Sequence, residues 1–144
     1  MKHRTVREIM SCVGICQQAP GACVRDACRL MAERHCGSVL VVEGGRLLGI
    51  FTERDALERV FARGLDPQLT LLAEVMTPAP DTIGPNHSVD EAIRRMDEFG
   101  YRHLPVIEAE RVIGVLSIRD LSIEDLAAMH AELESRRVIA ERAW

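Results

Sequence analysis

No stretch of this 144-residue sequence is apolar for the roughly 18 residues that a membrane-spanning helix requires. Basic residues are not in excess either, because 18 Lys and Arg stand against 22 Asp and Glu, for a net charge of −4. Nucleic-acid binding draws on clustered positive charge, so this balance argues against a DNA or RNA partner. The charged N-terminus, residues 1–8, has no long apolar segment behind it. We therefore expect a cytoplasmic protein without nucleic-acid or membrane partners.

Cysteine is absent after residue 36, and the five cysteines before that point contain no Cys-x-x-Cys pair. An odd number of cysteines without an export signal argues against a disulfide framework, and the missing pair spacing argues against a zinc site. We expect free thiols and no metal. One alternative stays open, in which these cysteines form a thiol- or metal-responsive sensor. They are Cys12, Cys16, Cys23, Cys28 and Cys36.

The sequence also lacks the short motifs of catalysis. It has no Walker or dinucleotide-binding glycine pattern, no metal-ligand cluster with a usual spacing, and no nucleophile paired with a base. We therefore predict that the chain is not an enzyme.

What the sequence contains is one pattern that occurs twice. Gly114–Asp120 reads Gly-Val-Leu-Ser-Ile-Arg-Asp, and Gly49–Asp55, which lies 65 residues earlier, reads Gly-Ile-Phe-Thr-Glu-Arg-Asp. In each copy a run of apolar residues ends within the pattern, and this run predicts a buried strand. A hydroxyl with an acid three residues later is typical of a helix start, so we expect each strand to lead directly into a helix.

The acid of each pattern has two interpretations. Asp55 and Asp120 can simply cap the helices by accepting hydrogen bonds from backbone N–H groups. Alternatively, the helix start attracts a phosphate while the carboxylate binds the two hydroxyls of a ribose, as an acidic residue does in dinucleotide folds. A phosphate and a diol together indicate a nucleotide, so the two patterns suggest nucleotide sites.

The surrounding elements repeat as well. A short helix opens each copy, at 5–10 and at 72–76, and an extended segment follows, at 12–18 and at 81–83. A helix, a strand, a tight turn and the strand of the pattern come next. We predict an α+β (α/β) fold of one compact unit, in which two βαββα repeats pack sheet to sheet about a pseudo-twofold axis. Residues 121–144 contain neither Gly nor Pro and are predicted to form one long helix.

These motifs resemble a tandem pair of cystathionine-β-synthase (CBS) domains, the Bateman module, and in particular the small stand-alone members of bacteria. The likeness implies one CBS motif over residues 5–65, a second over 66–126 and a helical tail over 127–144. The motifs that carry it are the two hydroxyl-x-x-Asp patterns, Tyr101–Val106, Gly37–Val42 and Val75–Thr77.

The resemblance implies a regulatory module in signal transduction, such as energy sensing, that binds a ligand and changes conformation. The ligands it implies are the adenine nucleotides AMP, ADP or ATP, with NAD or S-adenosylmethionine as further candidates. It also implies a homodimer that signals to a protein effector outside this chain. A purely structural dimer is the remaining alternative, beside the sensor built on the first-copy cysteines.

The resemblance further implies two nucleotide sites. In the second copy Asp120 would hold the ribose, while Ser117 and Arg119 would face ribose and phosphate. The first copy departs from the family pattern because no basic residue matches Arg102 or His103, so we expect the Asp120 site to bind phosphorylated ligands more tightly. The residues implied at the second-copy site are Thr82, Ile83, Arg102, His103, Leu104, Pro105, Ser117, Arg119 and Asp120. Those implied at the first-copy site are Gln17, Gln18, Gly37, Ser38, Val39, Leu40, Thr52, Arg54 and Asp55.

Overall fold

A computed structural model describes residues 4–12 and 15–142. Parts of three predictions fall outside the described residues: the charged N-terminus (1–3), two residues of the first extended segment (13–14) and the end of the tail (143–144). The helices are α1 (Val6–Ile9), α2 (Val24–Arg34), α3 (Glu53–Asp55), α4 (Leu72–Val75), α5 (Val89–Phe99) and α6 (Ile123–Arg142). The strands are β1 (Gln17–Gln18), β2 (Ser38–Glu43), β3 (Arg46–Thr52), β4 (Thr77–Pro78), β5 (His103–Glu108) and β6 (Arg111–Ser117).

Each copy is built on an antiparallel strand pair, β2 with β3 and β5 with β6. Both pairs are closed by a two-residue turn with positive φ at both positions, Gly44–Gly45 in the first copy and Ala109–Glu110 in the second. Such turns match the right-handed twist of the strands that they join. Even the register shift recurs at the same repeat position, Val41/Val42 and Val106/Ile107. The prediction of a repeated α+β unit is confirmed.

The short helix that opens each copy packs on the other copy. Val6 of α1 is completely buried in the core of the second copy, beside Leu104 and Leu116. Leu72 of α4 is completely buried in the core of the first copy, beside Phe51. Neither copy can therefore complete its core alone, and the two form one unit.

The glycine of each pattern makes this exchange possible. A side-chain carbon at Gly49 would lie 2.9 Å from the carbonyl oxygen of Thr77, and one at Gly114 would lie 2.9 Å from that of Ser11. The segments that carry Thr77 and Ser11 come from the turn after α4 and the turn after α1, and they pair with β3 and β6 respectively. Glycine suits these two positions of β3 and β6 because the backbone of the paired segment lies so close to them.

The helix predicted at each pattern begins where expected in both copies, but in the second copy it lasts for only one turn. In the first copy α3 begins directly after Thr52 and continues as a π-helical segment, Ala56–Phe61. In the second copy Ile118–Asp120 is a single 3₁₀ turn. A new helix, α6, then begins after Ser122. The backbone N–H of Ser122 donates to the Asp125 carboxylate, and the Ser122 hydroxyl accepts from the backbone N–H of Asp125. The capping pair of Ser122 and Asp125 lies five residues after that of Ser117 and Asp120. The 3₁₀ turn and α6 are therefore two separate elements.

Free thiols were predicted for all five cysteines, and that prediction is wrong for two of them. Cys16 and Cys36 form a disulfide across a sequence separation of 20, with Cα atoms 7.2 Å apart. Cys12, Cys23 and Cys28 are free. Because β1 lies in parallel beside β2, the residue before β1 meets the turn before β2, and no local spacing rule detects such a pair.

The described residues contain neither a metal-binding cluster nor a membrane-spanning helix. No group of three or more His, Cys, Asp or Glu side chains in this part of the chain is arranged to hold a metal ion. No helix among these residues is both long and apolar enough to cross a membrane.

Candidate functional site

A cleft of about 730 Å³ opens between the two copies. One wall is the Thr52 turn (Thr52–Asp55) together with Glu58 and Arg59 of the π-helical segment. The opposite wall is the residues before and at the start of β5, together with residues 117–119 of the Ser117 turn (Ser117–Asp120). The linker that follows α4 closes one end through residues 77 and 79–81. The cleft is thus assembled from both copies, and neither copy forms it alone.

Of the predicted site residues, eight line this cleft and ten do not. Five of those outside it are apolar residues that are almost completely buried. The eight in the lining are Gly37, Thr52, Arg54, Asp55, Arg102, His103, Ser117 and Arg119. The five core residues are Ile83, Val39, Leu40, Leu104 and Pro105, and the remaining five are Gln17, Gln18, Ser38, Thr82 and Asp120.

The acid of the Thr52 turn is buried and already bonded. Asp55 Oδ2 accepts a hydrogen bond from the backbone N–H of Thr52 at 2.9 Å, and the backbone N–H of Asp55 donates to the Thr52 hydroxyl at 3.3 Å. The other carboxylate oxygen lies 3.5 Å from Nε of Arg59. The capping interpretation therefore holds, and because a carboxylate offers about four acceptor positions, Asp55 keeps capacity for a ligand hydroxyl.

The acid of the Ser117 turn is held differently. Asp120 Oδ2 accepts from the backbone N–H of Ser117 at 2.8 Å, and Oδ1 accepts from the hydroxyl of Ser11 at 3.3 Å. Position 124, which corresponds to Arg59 in the repeat, is Glu124. Asp120 thus has a neutral partner where Asp55 has a cation.

Two residues expected beside the acid of the second copy lie in the cleft that holds the acid of the first. Arg102 and His103 line the same cleft as Asp55, whereas Asp120 is outside the lining. The family resemblance implied that both belong to the Asp120 site, whereas here they line a cleft to which both copies contribute.

Several guanidinium groups in the cleft are available to an anion. Arg54 and Arg102 are exposed, and neither forms an ion pair with any residue that the structure describes. Arg119 lies 4.0 Å from Glu53 of the other copy, and both side chains are more than 60% exposed, so this pair is weak and easily exchanged for a ligand phosphate.

His103 lies between the two copies. A side-chain carbon at Gly37 would lie 3.1 Å from His103 Nε2, so a larger residue there would crowd the ring. Burial lowers the pKa of His103 below its usual value of 6.5, while Glu53 raises it and Arg119 lowers it. The imidazole is therefore mainly neutral near pH 7.

Two aromatic rings that the sequence analysis missed form part of the wall. Phe99 and Tyr101 stack with ring centroids 5.9 Å apart, and Phe99 is 61% exposed. The Tyr101 hydroxyl donates to Asp81 at 3.1 Å, and burial together with this bond raises the pKa of Tyr101 to about 12. The chain has only five aromatic residues, so two of them within three positions was a signal that could have identified this wall. An exposed ring of this kind can stack on a nucleotide base.

Comparisons with known proteins agree with this architecture. The CBS domain family model matches residues 24–62 and 72–125, which is more than half of the chain. A CBS domain-containing protein of Arabidopsis thaliana is 37% identical over 129 residues, covering 86% of this chain. The match covers 24% of the plant protein, so the chain spans about a quarter of the length of that relative.

Solved structures give the same result. A protein with CBS domains from Burkholderia ambifaria MC40-6 is 35% identical and has a TM-score of 0.74, covering 81% of this chain and 90% of its own. A CBS domain protein from Pyrobaculum aerophilum, complexed with AMP, has a TM-score of 0.79 over 89% of this chain and 99% of its own. At 23% identity the second likeness is one of fold. The resemblance that the sequence motifs indicated is confirmed for the family.

Proposed function

We propose that this chain, which belongs to the CBS domain family, is a regulatory module that binds an adenine nucleotide in the cleft between its two copies. The observation that supports this most directly is the composition of the cleft. A buried carboxylate on Asp55, an exposed stacked ring on Phe99 and the exposed guanidinium groups of Arg54 and Arg102 line one cavity of about 730 Å³. Those three kinds of group suit a ribose, a base and a phosphate.

Each part of the ligand has a partner in this arrangement. The ribose hydroxyls donate to Asp55, which accepts them beside its bond to the Thr52 backbone. The adenine stacks on Phe99. The contact of Phe99 with Tyr101 holds the Phe99 ring in place. The phosphates are bound by Arg54 and Arg102 together with Arg119, after Arg119 leaves Glu53. AMP, ADP and ATP are the primary candidates, with NAD and S-adenosylmethionine as further ones.

The second predicted site, on Asp120, remains part of the proposal. Ser117 and Arg119 lie close to Asp120 in sequence. The ten predicted residues outside the main cleft would either shape the cleft from behind or serve this second site. We also keep the division into residues 5–65, 66–126 and 127–144 as a proposal.

We further propose a homodimer that signals to a protein effector, is located in the cytoplasm and carries out no catalysis itself. The exposed apolar side chains that follow the Thr52 turn support dimerisation, since Leu57 is 61%, Phe61 81% and Leu69 78% exposed. Large apolar side chains as exposed as these favour contact with another protein surface. Light scattering of the wild type and of Phe61→Glu tests the dimer: a monomeric wild type would contradict it.

Isothermal titration calorimetry tests the nucleotide assignment. The wild type is titrated separately with AMP, ADP, ATP, NAD and S-adenosylmethionine, and at least one of them is expected to bind. Arg102→Ala should weaken the binding of the phosphorylated ligand roughly 10-fold or more, the contribution of a hydrogen bond to a charged group, and leave adenosine unaffected. Asp97→Ala, which removes an exposed carboxylate of α5 outside the cleft lining, is the matched control. No heat of binding for any of the five ligands would overturn the proposal.

A further inference from the structure

The Cys16–Cys36 disulfide has a counterpart at the same repeat positions of the second copy. At the repeat offset of 65, Cys16 corresponds to Asp81 and Cys36 to Tyr101. Those two residues are also joined, because the Tyr101 hydroxyl donates to Asp81 Oδ2 at 3.1 Å. The same pair of segments, the extended segment before the first helix and the turn after it, is thus cross-linked in both copies. Only the chemistry differs: a covalent bond in the first copy and a hydrogen bond in the second.

One cross-link lies in the wall of the cleft, and the other lies next to a residue that lines it. Asp81 and Tyr101 line it directly. Cys36 adjoins Gly37, whose carbonyl accepts a hydrogen bond from the backbone N–H of Glu53 at 3.1 Å at the start of the Thr52 turn. Gly37 also lies against His103. A movement of Cys36 therefore moves the residue that meets both walls of the cleft.

The two cross-links respond differently to reductants. A hydrogen bond from Tyr101 to Asp81 is insensitive to redox conditions, whereas a reduced Cys pair retains no comparable bond, because a thiol is only a weak donor and acceptor. On the other side of the disulfide, Cys16 precedes the two-residue strand β1, whose pairing with β2 is limited to Gln17 with Leu40 and Gln18 with Val41. Reduction thus removes the strongest link between this short strand and the turn at Cys36.

We propose that the Cys16–Cys36 disulfide is a redox switch that fixes Gly37 in the cleft, and that its reduction weakens nucleotide binding; the nucleotide is taken from the proposed function. In the oxidised state both copies are cross-linked and the cleft is preorganised. In the reduced state the first copy alone loosens.

The chemical step is a thiol–disulfide exchange with a dithiol reductant. Cys36 is partly exposed and Cys16 is only 4% exposed, so the attacking thiolate reaches the Cys36 sulfur. A mixed disulfide forms there, the Cys16–Cys36 bond breaks, and Cys16 leaves as a thiolate that takes up a proton. The second thiol of the reductant then attacks the mixed disulfide and releases Cys36 as a thiol. The dithiol supplies two electrons and two protons and becomes a disulfide; a disulfide oxidant reverses the reaction.

The first measurement counts thiols. Alkylation in denaturant should label three cysteines of the oxidised chain and five after reduction with dithiothreitol. Five labelled thiols in protein that was kept under oxidising conditions would overturn the proposal.

The second measurement compares the two redox states of the full chain by hydrogen exchange and by calorimetry with AMP. Reduction should speed amide exchange in the peptides that contain Gln17 and Gly37, and it should weaken AMP binding about 10-fold, the equivalent of one hydrogen bond to a charged group. Cys36→Ser should behave like the reduced wild type with and without dithiothreitol. Cys12→Ser, which removes an exposed free thiol, should keep the full response.

The outcomes separate this proposal from the assignment of the ligand. Identical amide exchange in both redox states overturns the switch, whatever AMP does. Faster exchange at Gly37 on reduction with equal AMP affinity in both states overturns the control of binding. Faster exchange with no AMP binding in either state supports the redox-controlled cross-link and counts against the proposed ligand instead.

Discussion

Arg59 holds Asp55 against the linker that joins the two copies. Its Nε lies 3.5 Å from Asp55 Oδ1, and its Nη1 donates to the carbonyl oxygens of Val75 and Met76, each at 3.1 Å. The side chain therefore connects the acid of the cleft to the backbone immediately before Thr77, which lines the cleft. One guanidinium thus positions two parts of the wall, which suits its several fixed donors.

Arg59→Ala should lower both stability and affinity. It leaves two partly buried carbonyl oxygens without their donor, which should lower the free energy of unfolding by about 1–3 kcal/mol. AMP binding should weaken about 10-fold, because Asp55 and Thr77 lose their common support. Urea denaturation and calorimetry measure the two effects. Arg63→Ala, at an exposed arginine outside the lining, is the control, and equal behaviour of the two variants would contradict the role of Arg59.

The two acids of the repeat should contribute unequally, in the order opposite to that expected from the sequence. Arg102 and His103 line the cleft with Asp55, so Asp55→Ala should weaken AMP binding roughly 10- to 150-fold and Asp120→Ala should weaken it less. Both variants lose a capping bond, so their stabilities should fall by similar amounts, about 1 kcal/mol. Calorimetry with AMP and with adenosine makes the comparison. Equal losses of AMP affinity would show that the asymmetry is absent.

His103 should make the stability of the protein depend on pH. Its pKa in the folded state is lowered by burial, so between that value and 6.5 the unfolded chain binds more protons than the folded one. The contribution of His103 is therefore fully present above about pH 6.5 and is lost as the pH falls through the folded-state pKa. His103→Gln should lose stability less steeply over this range. Denaturation series from pH 7.5 to 5 test this, and parallel curves for the two proteins would contradict it.

A methyl group at Gly114 should disturb the packing of the segment after α1 against β6. The new side chain would lie 2.9 Å from the carbonyl oxygen of Ser11, so the segment that follows α1 must shift. We expect Gly114→Ala to lower the free energy of unfolding by about 1–3 kcal/mol, as overpacking does. Gly21→Ala is the matched control, because nothing lies within 4 Å of its added carbon. Thermal unfolding compares them, and an unchanged melting temperature for Gly114→Ala would contradict the close packing.

Local chemistry and repetition were sufficient to predict much of this protein. The repeat at 65 residues, the strand-to-helix order and the capping bonds of Asp55 and Asp120 depend on residues within a few positions of one another, and spacing along the chain reveals such contacts. Family membership followed from the same motifs, because they occur twice in the same order.

The tertiary structure decided which copy contributes to which contact. Val6 completes the core of the second copy, and Arg102 lines the same cleft as Asp55 of the first; both contacts join segments that are distant in sequence. Two repeats of the same fold offer equivalent positions to such residues, so sequence alone cannot tell a contact within a copy from one between copies. The choice depends on which packing buries α1 and α4 most completely, and that is a property of the assembled core.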